Sequence, residues 1–508
     1  MNKRVFKSGV FISLGTFLSR VLGLLREIIT ARYFGAASNF DAFVVAFTIP
    51  NLFRRVLGED MFERAFMPRF KRLKEEGKCE EACQYFLHVV FFVFFVSLFL
   101  CFIVYFFVPQ LIHIISPGLK GHALNIAIKF GYRIVPFLFL ISFATLFGAF
   151  LLFNGRPFLY SIAPAFMNIG VITFLVLFFK KMGSISIVFA FLSGAFLFLL
   201  FQFPFVVFYF KSLKKQCGGD YEKKGISHLF ASLKEGGKII VLSIVNKSVE
   251  VVDRLVASLV GSGAISSLWY SFRLIHLPFA FFGLALSRAL APEFSRLKGK
   301  GDLTNYSNLI EKGVLITFGI LMPVTLFFLV FPGDIVSLFY KRGNFDVHSV
   351  QLTSKAFFYY SFSLLPMGFV AVLGRAYSSL EDNTIPLIVS VCGAILNIVL
   401  DFLLYSTPLK QGGIALSTAL SLFLQAILLM LLLGRYRIVL TRKLLVYLLK
   451  LILVIAPYTV CLFVLKYFLS GLNGKFLFYS VFVCSSGLLF VFCMAGELWL
   501  LRGILKGE

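Results

Sequence analysis

The chain has 508 residues, of which 59% are hydrophobic, 66 are Phe and only 14% are charged. Soluble domains are nearer half apolar and about a quarter charged, so this composition excludes a soluble globular protein. The net charge of +25 does not indicate a nucleic-acid partner, because no segment has the composition of a soluble basic domain. The expected fold class is an all-α polytopic membrane protein.

Fourteen apolar segments are predicted to cross the membrane, each long enough for a bilayer core of roughly 30 Å. The third is typical, since residues 88–108 contain no Lys, Arg, Asp or Glu. In chain order the approximate limits are 8–31, 39–58, 84–108, 123–153, 159–179, 185–210, 238–260, 266–290, 308–332, 350–377, 385–406, 412–434, 444–469 and 476–501.

The first segment follows Lys3, Arg4 and Lys7, as the apolar part of a signal peptide would. It carries Arg26 and Glu27, however, and lacks a small-residue cleavage site, which predicts a retained helix. Lys and Arg outside the spans are concentrated on the side of the N-terminus, as in residues 59–83. The positive-inside rule then places both termini in the cytoplasm and predicts contact with anionic membrane lipids.

Two halves of the sequence resemble each other. The pattern Arg-Ala-x-x-Pro-x-Phe-x-Arg-Leu-Lys at 64–74 recurs at 288–298, and a Pro-Ser-Ala-Asn-Ile pattern at 157–169 recurs at 386–398. Each copy covers six predicted helices, so the lobes should share one orientation, with a substrate site at their interface. We expect lobes at 1–215 and 216–440, with two additional helices at 441–508.

Ionisable side chains inside the spans are expensive and usually face a cavity. The first span carries Ser19, Arg20, Arg26 and Glu27 on one broad polar surface. Others lie on the second and eighth spans: Asp41, Arg54, Arg55, Glu59 and Arg273. Arg forms a rigid fork of donors suited to phosphate oxygens, so these residues predict an anion site for phosphate or pyrophosphate.

Simpler interpretations exist for part of this set. Arg55 and Glu59 have the i, i+4 spacing of a helix-end ion pair, and the long side chains of Arg20 and Arg54 can snorkel toward the inner membrane surface. Arg26 and Arg273 are harder to explain in this way.

A second constellation contains only oxygen ligands, with Asp253 on the seventh span, Asn397 and Asp401 on the eleventh, and Thr418 on the twelfth. Oxygen ligands suit a hard cation such as Na⁺. The alternative is that Asp253 pairs with neighbouring Arg254 and that Asn397 supports helix packing.

The sequence contains no GxxxxGK[ST] loop, HExxH motif or GxSxG motif, so neither an ATP motor nor one of these catalytic sites is expected. The protein is predicted not to be an enzyme. Its energy would come from an ion gradient, the membrane potential or consumption of the product.

Several motifs resemble those of the MurJ (MviN) family of lipid II flippases, within the multidrug/oligosaccharidyl-lipid/polysaccharide exporter superfamily. The similarity is greatest over residues 15–74, including the segments at 15–27, 31–35 and 47–55, and extends to Arg273 and Pro278 on the eighth span. The departures are Asp60 and Met61, which replace the small residues usual after Glu59, and His276, which lies where an acid is often found.

This resemblance implies an alternating-access flippase in a bacterial inner membrane, moving lipid II to the outer leaflet for cell-wall synthesis. Ser19, Arg20, Arg26, Arg54 and Arg273 would then bind the pyrophosphate headgroup, and Glu27, Asp41, Arg55 and Glu59 would gate or position it. It further implies a sodium site at Asp253, Asn397, Asp401 and Thr418, a lipid-tail groove on the last two helices, and cell-wall synthesis or division proteins as partners.

Two other functions compete with this one. A drug/cation antiporter of the same superfamily would need a net acidic lining, whereas the N-terminal lobe is basic. A membrane glycosyltransferase acting on a lipid-linked sugar would need acidic residues in an outer loop, where only Asp334 and Asp346 are available.

Overall fold

The structure, a computed structural model, describes residues 3–54, 61–63, 66–216, 225–438, 441–470 and residue 485. Within these ranges all regular secondary structure is helical and no β-strand occurs. This confirms the all-α class predicted from composition and apolar patterning.

The chain divides into two compact units, one formed by residues 1–266 and 342–345, the other by 267–341 and 346–508. The helices of the first unit are α1 (Lys3–Phe34), α2 (Ser38–Phe53), α3 (Met67–Glu75), α4 (Cys79–Ile115), α5 (Gly121–Phe153), α6 (Pro157–Met182), α7 (Ser186–Gln216) and α8 (Gly225–Val260). α8, the seventh predicted span, packs within this unit against α4 and α2. The lobe limits predicted from the repeat stay a prediction.

The second unit contains most of α9, whose first residues belong to the first unit, and all later helices. These helices are α9 (Ala264–Pro278), α10 (Leu284–Gly299), α11 (Leu303–Val330), α12 (Pro332–Tyr340), α13 (Val347–Ser361), α14 (Leu364–Ser379), α15 (Thr384–Leu404), α16 (Gln411–Leu432) and α17 (Arg442–Ser470). α13 and α14 together form one bent span, with an angle of 43° between them.

Thirteen of the predicted spans coincide with described helices, and the fourteenth, at 476–501, lies outside the described residues. Among the described residues, eight segments have the length and hydropathy of a membrane span, or nine with the bent pair α13–α14. One of the eight, residues 157–215, contains both α6 and α7, which are separated by a short 3₁₀ turn. The predicted total of fourteen is therefore not established by the described helices.

α6 and α7 pack against each other as a hairpin. The turn between them contains Gly183 at φ 60°, a conformation that glycine adopts without strain. Further along, a Cβ placed on Gly170 would lie 2.7 Å from the Cα of Gly194. Small residues let helix backbones approach this closely, and such packing is what holds helices together in lipid.

The many Phe residues of the first unit form part of its core. The Phe86 and Phe150 ring centroids are 4.2 Å apart, and Phe70 of the short helix α3 lies 5.5 Å from Phe150. Aromatic pairs of this kind contribute about 0.5–1.5 kcal/mol beyond burial of their area. They anchor α3, a nine-residue helix that the hydropathy pattern did not predict, on α4 and α5.

In the second unit, α17 is attached to α11 near both ends. At one end the Glu311 carboxylate accepts hydrogen bonds from the Thr441 backbone N–H at 2.5 Å and the Thr441 hydroxyl at 3.0 Å. At the other, the Lys466 ammonium donates to the carbonyl of Val330, the last residue of α11, at 2.7 Å. The appended helix is thus held by charged groups that complete the unsatisfied ends of both helices.

Candidate functional site

Two members of the polar surface predicted on the first span, Arg26 and Glu27, are paired on α1. Glu27 is only 4% exposed and accepts a hydrogen bond from Arg26 Nη2 at 2.5 Å. The Arg26 guanidinium carbon also lies 5.4 Å from the centre of the Phe191 ring on α7. An ion pair and an aromatic face therefore hold the Arg26 side chain within the first unit.

Arg26 still has hydrogen-bonding capacity. Its Nε atom is buried and has no hydrogen-bond partner among the described residues. A buried polar group without a partner costs about 1–3 kcal/mol, and more if it is charged. Such a group is therefore suited to a ligand that brings an acceptor oxygen, as a phosphate does.

Ser19 and Arg20 are half-buried on the same helix. The Ser19 carbonyl accepts a hydrogen bond from Asn168 Nδ2 of α6 at 3.0 Å. A turn earlier, a Cβ on Gly15 would lie 2.4 Å from the Ser161 hydroxyl oxygen, so glycine is needed for this close contact. Close packing on α6 thus fixes the direction in which the polar surface of α1 faces.

Arg54 lies at the end of α2, just after Pro50, and its Nε donates to Asn51 Oδ1 at 3.2 Å. This contact stays within one turn of the same helix. Arg55 and Glu59 lie outside the described residues, so their predicted roles stay predictions.

Asp41, predicted to gate or position the substrate, is 1% exposed at the start of α2. Its carboxylate accepts hydrogen bonds from the backbone N–H of Gly263 at 2.6 Å and of Ser266 at 2.7 Å, and also from the Ser266 hydroxyl. These donors belong to the turn before α9 and to its first residues, so Asp41 caps the N-terminus of α9 from a different helix. It thereby ties α2 to the α8–α9 turn.

A buried network on α8 was not among the predicted site residues. Arg254 is 9% exposed and donates to Thr48 of α2 at 2.7 Å and to Glu250 at 2.6 Å. The i, i+4 spacing of Glu250 and Arg254 is a signal that could have identified the ion pair from sequence. Nothing in the sequence singled out Thr48, since its role depends on how α2 packs on α8.

Arg273 lies on α9 in the second unit. Its guanidinium carbon is 4.4 Å from the centre of the Trp269 ring, one turn earlier on the same helix. This cation–π contact orients the side chain without neutralising its charge. The helix then changes to a π-helical turn at Phe279–Gly283, directly after Pro278.

The predicted cation ligands are divided between the units, with Asp253 on α8 in the first and the others in the second. Asn397 Nδ2 lies 3.4 Å from Thr418 Oγ1, and the Asp401 carboxylate accepts a hydrogen bond from Ser417. Three of the four predicted ligands therefore lie on two neighbouring helices, α15 and α16. Among the described residues there is no group of three or more His, Cys, Asp or Glu side chains that could hold a metal ion.

Long apolar helices that enclose paired charges and polar helix caps define an integral membrane protein of the transporter type. The fold agrees, since an inward-facing multidrug resistance MATE family transporter aligns with a TM-score of 0.69 over 85% of this chain and 98% of that one, at 14% identity. Residues 30–482 match the family model of the lipid II flippase MurJ, and the chain belongs to that family.

Relatives of similar length support this assignment. A probable lipid II flippase MurJ of Buchnera aphidicola subsp. Acyrthosiphon pisum is 29% identical over 505 residues, 96% of this chain and 97% of that protein. The Aquifex aeolicus relative of the same description is 31% identical over 80% of each chain. A solved lipid II flippase MurJ in an inward closed conformation aligns with a TM-score of 0.76 and 23% identity over 98% of each chain.

Proposed function

We propose that this protein is a lipid II flippase, which moves the polyprenyl-pyrophosphate-linked precursor of peptidoglycan from the cytoplasmic to the outer leaflet by alternating access. Membership of the MurJ family supports the substrate. The observation within the chain that carries the proposal is Arg26, a charged side chain with a buried Nε that lacks a partner among the described residues.

Lipid II carries a pyrophosphate, and Arg is the side chain best shaped to bind phosphate oxygens with two parallel hydrogen bonds. In the proposal Ser19, Arg20, Arg26 and Arg54 of the first unit contact the headgroup, and Arg273 of the second binds the same class of ligand. Glu27 positions Arg26 through their ion pair. Asp41 controls the outer end of the transport pathway through its cap on α9, and Arg55 and Glu59 act at the inner end of that pathway.

The test is transport by the purified full-length chain in vesicles that carry labelled lipid II, with a probe that reaches only the opposite leaflet. Protein-free vesicles give the spontaneous rate, and movement of lipid II well above that rate supports the proposal. A cationic dye in parallel vesicles tests the antiporter alternative. Dye exchange with no lipid II movement would show that the chain is an antiporter.

Sodium is the proposed coupling ion, with Asn397, Asp401 and Thr418 of the second unit as ligands, and the predicted part of Asp253 stays a prediction. The support is chemical, because these side chains present carboxylate, amide and hydroxyl oxygens, which are ligands for hard cations. Substitution of Asp401 by Asn removes its charge but keeps its shape, so it should abolish any rise in thermal stability caused by added NaCl over KCl. Asp382→Asn, in the turn between α14 and α15, is the matched control. A sodium response that survives in Asp401→Asn would exclude this site.

A further inference from the structure

One face of α5 presents a stripe of basic side chains that the proposed transport mechanism does not use. His122, Lys129 and Arg133 are all exposed, and they follow one another at positions i, i+7 and i+11. At 100° per residue these three positions lie within about 40° of each other on the helix. Asn125 and Pro136 on the same face are exposed as well, so the stripe is continuous.

The depth of the stripe follows from the residues beyond it. Residues 134–153, the remainder of α5, contain no charged side chain. Twenty helical residues span about 30 Å, the thickness of the bilayer core, which places Arg133 at one boundary of the core. Lys129 then lies roughly 6 Å further out, at the depth of the lipid headgroups. In the predicted orientation this boundary is the outer one.

Within the described part of the chain, Lys129 and Arg133 have no acidic counterpart. The sequence contains no Asp or Glu between residues 82 and 219, and therefore none on α5 or on most of α4. Arg133 Nη1 donates to the backbone carbonyl of Lys129 at 3.1 Å, and no described acidic side chain forms a salt bridge with either residue. Lys120, exposed just before the helix, adds to the positive charge.

An apolar aromatic surface adjoins the stripe. Tyr132 of α5 and Tyr105 of α4 have ring centroids 5.0 Å apart, and Tyr105 is 51% exposed. On α4, Phe102 and Phe106 are each exposed by more than half, and their centroids are 4.5 Å apart. Tyr side chains favour the membrane interface, and exposed Phe faces suit acyl chains.

We propose that Lys129 and Arg133 bind the phosphodiester of an anionic phospholipid in the outer leaflet, such as phosphatidylglycerol, while its acyl chains lie along the aromatic face of α4. Excess cations on the outer side oppose the positive-inside tendency, and anionic headgroups at that depth would offset their charge. This lipid is bound as a resident ligand and is not the translocated substrate, so the inference does not depend on the identity of that substrate.

Binding is measured by native mass spectrometry of the full-length protein, titrated separately with phosphatidylglycerol and phosphatidylethanolamine. The test variant is the double substitution Lys129→Gln with Arg133→Gln. A cation near a membrane surface contributes roughly fivefold to anionic-lipid binding, so the variant should lose at least about tenfold in phosphatidylglycerol affinity. Phosphatidylethanolamine, which has no net charge, should bind weakly to both proteins.

The matched control is Lys211→Gln with Lys214→Gln, which removes two exposed cations from the C-terminal end of α7. It should retain phosphatidylglycerol binding within about twofold, since the proposed contacts are intact. An equal loss in the control would show a general charge effect and overturn the proposal. The proposal is also overturned if millimolar inorganic phosphate displaces bound phosphatidylglycerol as effectively as added lipid does. The ligand would then be the free anion.

The leaflet is tested with Asn125→Cys, on the same stripe. An impermeant maleimide added to the outside of cells should label this cysteine, and phosphatidylglycerol added to the purified protein should slow the reaction. Labelling only after the cells are opened would place the stripe on the inner side and refute the outer-leaflet site. Normal lipid II movement by the Lys129/Arg133 variant is expected, which separates this proposal from the flippase function.

Discussion

The Arg254 guanidinium on α8 donates to the Thr48 hydroxyl on α2 at 2.7 Å, deep within the first unit. Both side chains are almost fully buried, and Arg254 is also paired with Glu250. A buried charge destabilises the protein when one of its hydrogen-bond partners is removed. Thr48 is therefore a structural requirement of α8 although it carries no charge itself.

We expect Thr48→Val to lower the free energy of unfolding by about 1–3 kcal/mol, because it leaves a charged donor short of an acceptor. Thermal unfolding of the purified protein in detergent measures the loss. Thr325→Val on α11 is the control, since Thr325 is similarly buried and, among the residues that the structure describes, donates only to the Leu321 carbonyl of its own helix. Equal losses in both variants would show that the Arg254 contact contributes nothing measurable.

The cap that Asp41 forms on α9 should be more important than an ordinary helix cap. Asp302 caps α11 through one backbone N–H, that of Asn305, at 3.0 Å, and it is partly solvated. Asp302→Ala should cost about 1 kcal/mol, as exposed caps do. Asp41→Ala strands several buried donors at about 1–3 kcal/mol each and should cost clearly more. The comparison is again thermal unfolding, and a smaller loss for Asp41→Ala would contradict the assignment.

Arg26→Lys separates ligand binding from simple charge. Lys keeps the charge and most of the stem but lacks the planar fork, so it should insert and fold normally yet fail to support cell-wall synthesis in cells depleted of their own flippase. Arg32→Lys, exposed near the C-terminal end of α1, is the control that should complement fully. Full complementation by Arg26→Lys at normal membrane levels would remove Arg26 from the substrate site.

The predicted orientation is tested by cysteine labelling in a background without the eight native cysteines. The loop before α13 is a predicted outer position, but Gly343 within it is unsuitable. It has φ +60°, and a Cβ there would lie 2.4 Å from the Arg32 carbonyl oxygen. Lys341→Cys is exposed instead and should react with an impermeant reagent from outside, whereas Lys214→Cys should not. Reaction of both from the same side would refute the topology.

Acid should weaken the N-terminus of α13. The Ser349 backbone N–H donates to Asp346 at 2.8 Å, and this bond lowers the pKa of the Asp346 carboxyl from its ordinary value. A lowered folded pKa means that the stabilisation is present above about pH 4 and is lost as the pH falls through the folded pKa. Asp346→Asn should flatten this acid-dependent loss, because Asn also caps helices but does not titrate. This loss is measured by hydrogen exchange of the α13 amides between about pH 5 and about pH 3, the range in which carboxyl groups titrate.

The sequence repeat has a counterpart in local structure. Asn168 and Asn397 occupy equivalent positions in the two copies, and both are buried. Each donates to a neighbouring helix, Asn168 to the Ser19 carbonyl and Asn397 to the Thr418 hydroxyl. The two copies of the repeat therefore make equivalent interhelical polar contacts, because a buried amide in lipid must find a partner.

The sequence by itself determined the class of protein and the positions of thirteen described helices, because a bilayer requires long uninterrupted apolar helices wherever the chain crosses it. It also singled out Arg26 as a candidate whose role stays a prediction, since a charge within an apolar span is rare enough to be noticed without a structure. The short amphipathic helix α3 escaped prediction, because nine residues are too few for a span and their burial depends on neighbouring Phe side chains.

Only the tertiary structure decided which partner each polar group has. Asp41 could have faced substrate, solvent or another helix, and it is the packing of α2 beside the α8–α9 turn that makes it a cap. Thr48 became the acceptor for Arg254, 206 positions away in the chain, for the same reason. Hydrogen bonds require contact within about 3 Å, and hydropathy carries no information on distances between helices distant in sequence.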